Sequence, residues 1–133
     1  MGFLATIFHY KGNISPPKQI QQWTNLVETF ANALIERYGM PVVQTWIFEV
    51  FNEPNCGFWS GTQQQYYDFY AHTAKALKNV SAQLKVGGPV TCQLAWLDDF
   101  CSWCAKNSVP LDIVTSHLYP SDPNLPPGKK LAF

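Results

Sequence analysis

The chain has 133 residues, 47% of them apolar and 14% charged, with a formal net charge of zero, so its composition suits one domain that buries a sizeable core. Its 9 basic residues are scattered, which argues against a nucleic-acid or anionic-membrane binder. No run reaches the ~18 apolar residues of a membrane span, and Met1 to Tyr10 lacks the basic start and small-residue cleavage site of a secretory leader.

Phe3 to His9 reads as the end of a strand or the loop after it, and Gly12 to Pro17 as turn chemistry. Ser15 is placed to cap a helix that starts through Pro16 or Pro17. Ile20, Trp23, Val27, Phe30, Leu34 and Tyr38 recur at three- and four-residue steps, the period of an amphipathic helix with a wide apolar face. Gly39 ends it as a left-handed cap and Pro41 prevents continuation. Thr45 to Phe51 is apolar, aromatic and β-branched, the composition of a buried strand. Asn55 to Gly61 is a loop carrying Phe58 and Trp59. Thr62 and Gln65 form a capping box for a second helix from about Gln63 to Val80, with Tyr66, Phe69, Tyr70, Thr73, Ala74 and Leu77 on its inner side. Leu84 to Gly87 is a short strand closed by Gly87-Gly88-Pro89. A third helix covers about Ala95 to Asn107 and buries Leu97, Phe100, Cys101 and Cys104. Leu111 to Leu118 is the last strand, and Ser121 to Lys130 is a Pro- and Gly-rich loop.

Helices alternating with strands over short connections imply βαβ units, parallel strands and right-handed crossovers. A doubly wound open sheet and a (β/α)₈ barrel both satisfy that order, and both place function at the C-terminal ends of the strands. No strand is followed by a G-x-G-x-x-G or Walker loop, and Gly87-Gly88-Pro89 has a proline where a phosphate cradle needs a donor. Of the 4 cysteines, Cys101 and Cys104 fall one helical turn apart and read as buried free thiols. Cys56 and Cys92 lack the spacing of a second zinc-binding pair, so no metal or cofactor is expected.

The chemistry-bearing residues gather at the strand ends. The stretch Trp46 to Pro54 starts as an apolar strand and ends in Asn52 and Glu53, where the hydrophobic pattern breaks. The last strand delivers His117 and Tyr119, and Gly87-Gly88-Pro89 is small enough to leave space. In a parallel sheet these ends face one side, so one cleft holds a carboxyl, an amide, an imidazole and a phenol. That set suits the hydroxyls of a sugar. A carboxyl beside an apolar wall of Phe58 and Trp59 suits a general acid.

Three motifs in order, WIFEVFNEPN at Trp46 to Asn55, Leu84 to Pro89, and Leu111 to Tyr119, closely resemble glycoside hydrolase family 39, the family of β-xylosidases and α-L-iduronidases. The lead-in from Tyr10 to Tyr38 is similar to the xylosidase branch. The resemblance implies a (β/α)₈ TIM barrel that hydrolyses glycosides with retention. It implies Glu53 as the general acid/base after the fourth strand, Asn52 as the amide on the sugar 2-hydroxyl, and His117 and Tyr119 as substrate-side residues after the sixth. The family's nucleophile is a second Glu after the seventh strand, and no acidic residue of this chain replaces it. Residues 1–133 are therefore expected to be one partial TIM-barrel catalytic domain, about strands three or four to six, incomplete at both ends and carrying only the acid half of the catalytic pair. A carbohydrate substrate is its expected partner. A non-catalytic carbohydrate-binding or scaffold domain, and another glycosidase of the same clan, are the alternatives.

Overall fold

The computed structural model describes residues 14–119 and residue 122. The expectations for Phe3 to His9, and for the tail apart from Asp122, lie outside the described residues.

Helix α1 spans Ile20–Tyr38. It begins later than the prolines suggested, after Gln19, and no side chain caps it. Its packing stripe is narrow and centred on Val27 and Ala31. Phe30 and Tyr38, assigned to the apolar face from their spacing, are 56% and 46% exposed on its flanks. Gly39 terminates the helix with φ +81°, a conformation that suits glycine. Pro41 does not stop the chain. It lies in the first turn of a short helix α2, Met40–Val43, where a missing N–H costs nothing.

Strand β1, Ile47–Glu49, is shorter than expected, and Ile47 is 50% exposed because β1 is the outermost strand among the described residues. Helix α3, Gln63–Val80, has the predicted bounds. Its capping box is closed in both directions: the Gln65 N–H donates to Thr62 Oγ1 at 3.2 Å, and the Thr62 N–H donates to Gln65 Oε1 at 2.8 Å. All six residues assigned to its inner side are buried. Trp23 binds α1 to it, donating its indole N–H to Thr73 Oγ1 at 2.8 Å and stacking obliquely on Phe69.

Strand β2, Lys85–Cys92, runs well past the glycines expected to close it. Gly87, Gly88 and Pro89 are buried mid-strand and leave no open space. A Cβ at Gly88 would stand 2.9 Å from the Tyr70 ring, so this glycine exists for a close approach. Pro89 is tolerated in the central strand because the ladder shifts register between Pro89 and Thr91, and a bulge removes the need for its N–H. Val90, inside that bulge, has φ +54°.

Helix α4, Leu97–Lys106, buries Phe100 and Cys104, whereas Leu97 and Cys101 are only half-buried. Strand β3, Ile113–His117, completes a sheet of order β1-β2-β3 in which both pairings are parallel. The core is an aromatic cluster on α3 and α4, with Tyr66, Tyr70 and Phe100 wholly buried. Among the described residues no helix is long and apolar enough to cross a membrane.

Candidate active site

The site is built where β1 ends. Beyond Glu49 the chain turns through two left-handed residues, Phe51 at φ +74° and Glu53 at φ +47°. Such conformations cost about 1–3 kcal/mol each in a non-glycine residue and persist only when neighbours enforce them. Here β2 enforces them. The Val50 N–H donates to Gly87 O at 3.1 Å, and the Glu53 N–H donates to Val90 O at 2.8 Å. Beneath the turn, Tyr66 Oη lies 2.9 Å from both the Val50 and the Pro89 carbonyls, and its one proton serves both. Burial, followed by the neighbouring Tyr70, holds that phenol protonated, well above its ordinary range.

The turn aims the Glu53 side chain at β3, and Oε1 lies 2.8 Å from His117 Nδ1. The Glu53 side chain is 16% exposed and that of His117 34%, so the carboxyl is largely withdrawn from water while the imidazole faces it. The ring tautomer sets which of the two atoms donates. With hydrogen on Nδ1 the ring donates to a carboxylate, and with Nδ1 bare a protonated carboxyl donates to the ring.

The remaining expected site residues do not all join this pair. Asn52 and Phe58 line a neighbouring hollow of about 380 Å³ with Ile14, Glu49 and Phe51. Tyr119 is 59% exposed just past His117, its backbone N–H held by Asp122 Oδ2 at 2.8 Å. Trp59 forms no wall to the carboxyl. It is 6% exposed, packs against Phe51, Tyr66 and Phe69, and donates its indole N–H to Thr62 O at 3.1 Å. The N-terminus of α3 supplies an acceptor for that N–H, and the aromatic core takes the ring. Gly87-Gly88-Pro89, expected to give the cleft room, lies upstream within β2, whose true end is Thr91 and Cys92.

Two features went unread in the sequence. Cys56 and Cys92 form a disulfide, with Cα atoms 6.5 Å apart. Four cysteines allow three complete pairings, and sequence alone does not choose one or tell paired from free thiols. Cys101 and Cys104 are free, as expected. Burial, then Cys101, pushes the Cys104 thiol up to about 12. The second feature is Asn55, whose amide pairs with the backbone of Cys92. Among the described residues no group of three His, Cys, Asp or Glu gathers as a metal site.

Parallel strands joined by helices, with a carboxyl and an imidazole converging at their C-terminal edge, have the layout of an α/β catalytic domain. The chain belongs to glycosyl hydrolases family 39, whose model matches residues 1–131. It is 48% identical over 119 residues to a β-xylosidase of Caldicellulosiruptor saccharolyticus, covering 88% of this chain and 24% of that protein. Over 75 residues it is 35% identical to the α-L-iduronidase of Homo sapiens, covering 54% of this chain and 12% of that one. Among solved structures, a monomeric β-xylosidase from Caulobacter crescentus CB15 matches with a TM-score of 0.79 and 42% identity, over 84% of this chain and 23% of that one. The chain thus spans about a quarter of the length of these xylosidases. Its three parallel strands and their helices are consistent with part of a family 39 TIM-barrel domain.

Proposed function

We propose that the chain is the acid–base portion of a retaining β-xylosidase, covering about the third or fourth to the sixth strand of a (β/α)₈ barrel. Glu53 protonates the leaving oxygen and then, as a base, activates the water that releases the sugar. His117 orients the Glu53 carboxyl through its Nδ1. Asn52, Tyr119 and Phe58 contact the sugar, and Trp59 supports the turn from within the core. The observation that carries this reading is the 2.8 Å contact between Glu53 Oε1 and His117 Nδ1 at the strand ends.

A retaining enzyme needs a second carboxyl about 5 Å from the first. The other described acids have other positions: Glu49 lies within β1 rather than at the strand-end turn, Glu28 and Glu36 are on α1, and Asp68 is on α3. Asp112 is bound to Lys78 and the Val86 N–H at the opposite end of the sheet, Asp98 and Asp99 are exposed in the first turn of α4, and Asp122 holds the Tyr119 turn. The nucleophile is therefore supplied by sequence outside these residues. In the full-length protein, Glu53→Gln lowers kcat/KM for an unactivated β-xyloside by about 10²- to 10⁴-fold, the usual worth of a general acid. The 133-residue chain alone does not hydrolyse an aryl β-xyloside. Near-normal rates for the variant overturn the role of Glu53, and Glu53-dependent turnover by the isolated chain overturns the division of the catalytic pair.

A further inference from the structure

The Glu53 turn is tied to β2 a second time, downstream of the carboxyl. The Asn55 side chain makes the two hydrogen bonds of a strand neighbour with a single backbone residue. Its Nδ2–H donates to Cys92 O at 3.0 Å, and the Cys92 N–H donates to its Oδ1 at 2.9 Å. The next residue, Cys56, is joined covalently to the same Cys92. On its other side Cys92 is the register partner of His117, and the Gln93 N–H donates to His117 O at 2.8 Å. A closed ring results. It runs from the Glu53 carboxyl through Pro54 to Asn55 and Cys56, crosses to Cys92, passes to His117, and returns through the imidazole to Glu53.

We propose that Asn55 is a positioning residue for Glu53, acting through its paired hydrogen bonds to Cys92 with the Cys56–Cys92 bridge as a covalent backstop. Glu53 has a left-handed backbone, a conformation that relaxes unless it is held on both sides. Its own N–H anchors the upstream side on Val90, and Asn55 anchors the downstream side. Pro54 between them stiffens the connection by fixing its own φ. Release of the downstream anchor lets the carboxyl drift from His117. A displacement of about 1 Å at a reacting group costs on the order of 100-fold in rate. The catalytic consequence rests on the reading of Glu53 as the proton donor. The positional one does not.

Two measurements on the full-length protein separate these claims. The first is a double-mutant cycle on unfolding in urea, pairing Glu53→Gln with His117→Ala. It returns a coupling in the wild-type background and a several-fold smaller one, as a ratio of unfolding constants, in the Asn55→Ala background. An unchanged coupling overturns the positioning role. The second is kcat/KM for a β-xyloside with a poor leaving group against a 2,4-dinitrophenyl β-xyloside, which departs without protonation. Asn55→Ala loses on the order of 10- to 100-fold on the first substrate and little on the second, with an unchanged circular dichroism spectrum. Equal losses on both, or none, overturn the catalytic consequence. Where Asn55→Ala fails to fold, Asn55→Asp, which keeps the acceptor for the Cys92 N–H and loses the donor to the Cys92 carbonyl, is put through both measurements with the same expected directions. Glu53→Gln is the control: if it loses equally on both substrates, the acid role itself falls, and the cycle still decides whether Asn55 positions the pair.

Discussion

Tyr66 brings a hydroxyl into the most buried part of the core and spends its one proton on two carbonyls, those of Val50 and Pro89. Both lie where their strands leave regular geometry, so the phenol satisfies acceptors that the ladder no longer reaches. Tyr66→Phe keeps the ring and removes the donor. It is expected to lower stability by about 1–3 kcal/mol, the cost of stranding buried acceptors, measured as a fall in the urea midpoint at unchanged slope. At this scale the sequence was partly legible. The convergence of Glu53 and His117 was readable because each interrupts an apolar strand pattern at the same end of a parallel sheet. Trp59 was not, because a loop aromatic has no periodicity to say which way it faces. Asn55 stands within the NEPN run, but the Cys92 backbone it binds is 37 positions away, and no local pattern encodes that partner.

Between elements, what matters most is how close α3 comes to β2. Gly88 lets the Tyr70 ring come within 2.9 Å of where a Cβ would be, and the ring is pinned because its hydroxyl donates to Pro110 O at 3.0 Å. Gly88→Ala therefore meets a ring that has no room to swing aside. The expected loss is about 1–3 kcal/mol, seen as a lower thermal midpoint, and Tyr70→Leu in the same chain recovers part of it. The sequence conceals this. Gly-Gly-Pro is turn chemistry by every local rule, and only contact with α3 and the bulge at Val90 turn it into the middle of a strand. The capping box and buried face of α3 were legible because they are local and periodic. The exposure of Phe30 was not, because the width of a buried stripe depends on the partner helix.

For the whole molecule, the parallel sheet is closed at its N-terminal end by charge. Asp112, just before β3, accepts from the Val86 N–H at the start of β2 and pairs with Lys78 of α3, both at 2.8 Å. Lys78 also donates to Leu84 O at 2.6 Å. Burial alone pushes the Asp112 carboxyl up, but the bonds from Lys78 and Val86, with the charges of Lys78 and Lys85, outweigh it and hold the carboxyl below its ordinary value. A depressed carboxyl adds stability above the unfolded value of about 3.9 and loses it as pH falls through the folded one. Thermal midpoints are therefore expected to fall in acid below about pH 4, and Asp112→Asn to flatten that acid limb while lowering the midpoint at pH 7. The alternation of elements, and with it the parallel sheet, was readable from hydrophobic period alone. The strand limits were not, because they depend on pairing across the sheet.

The Glu53–His117 contact joins β1 to β3 across β2, which lies between them. Two strand spacings, about 9–10 Å, are bridged by a single carboxyl and a single ring. A slip of one residue in either pairing would turn one of these side chains to the opposite face. The pair thus works as a gauge of assembly: the 2.8 Å contact exists only when all three strands are in register. A register error anywhere in the three strands would therefore show itself at this one distance, so the contact that defines the candidate site also certifies the sheet.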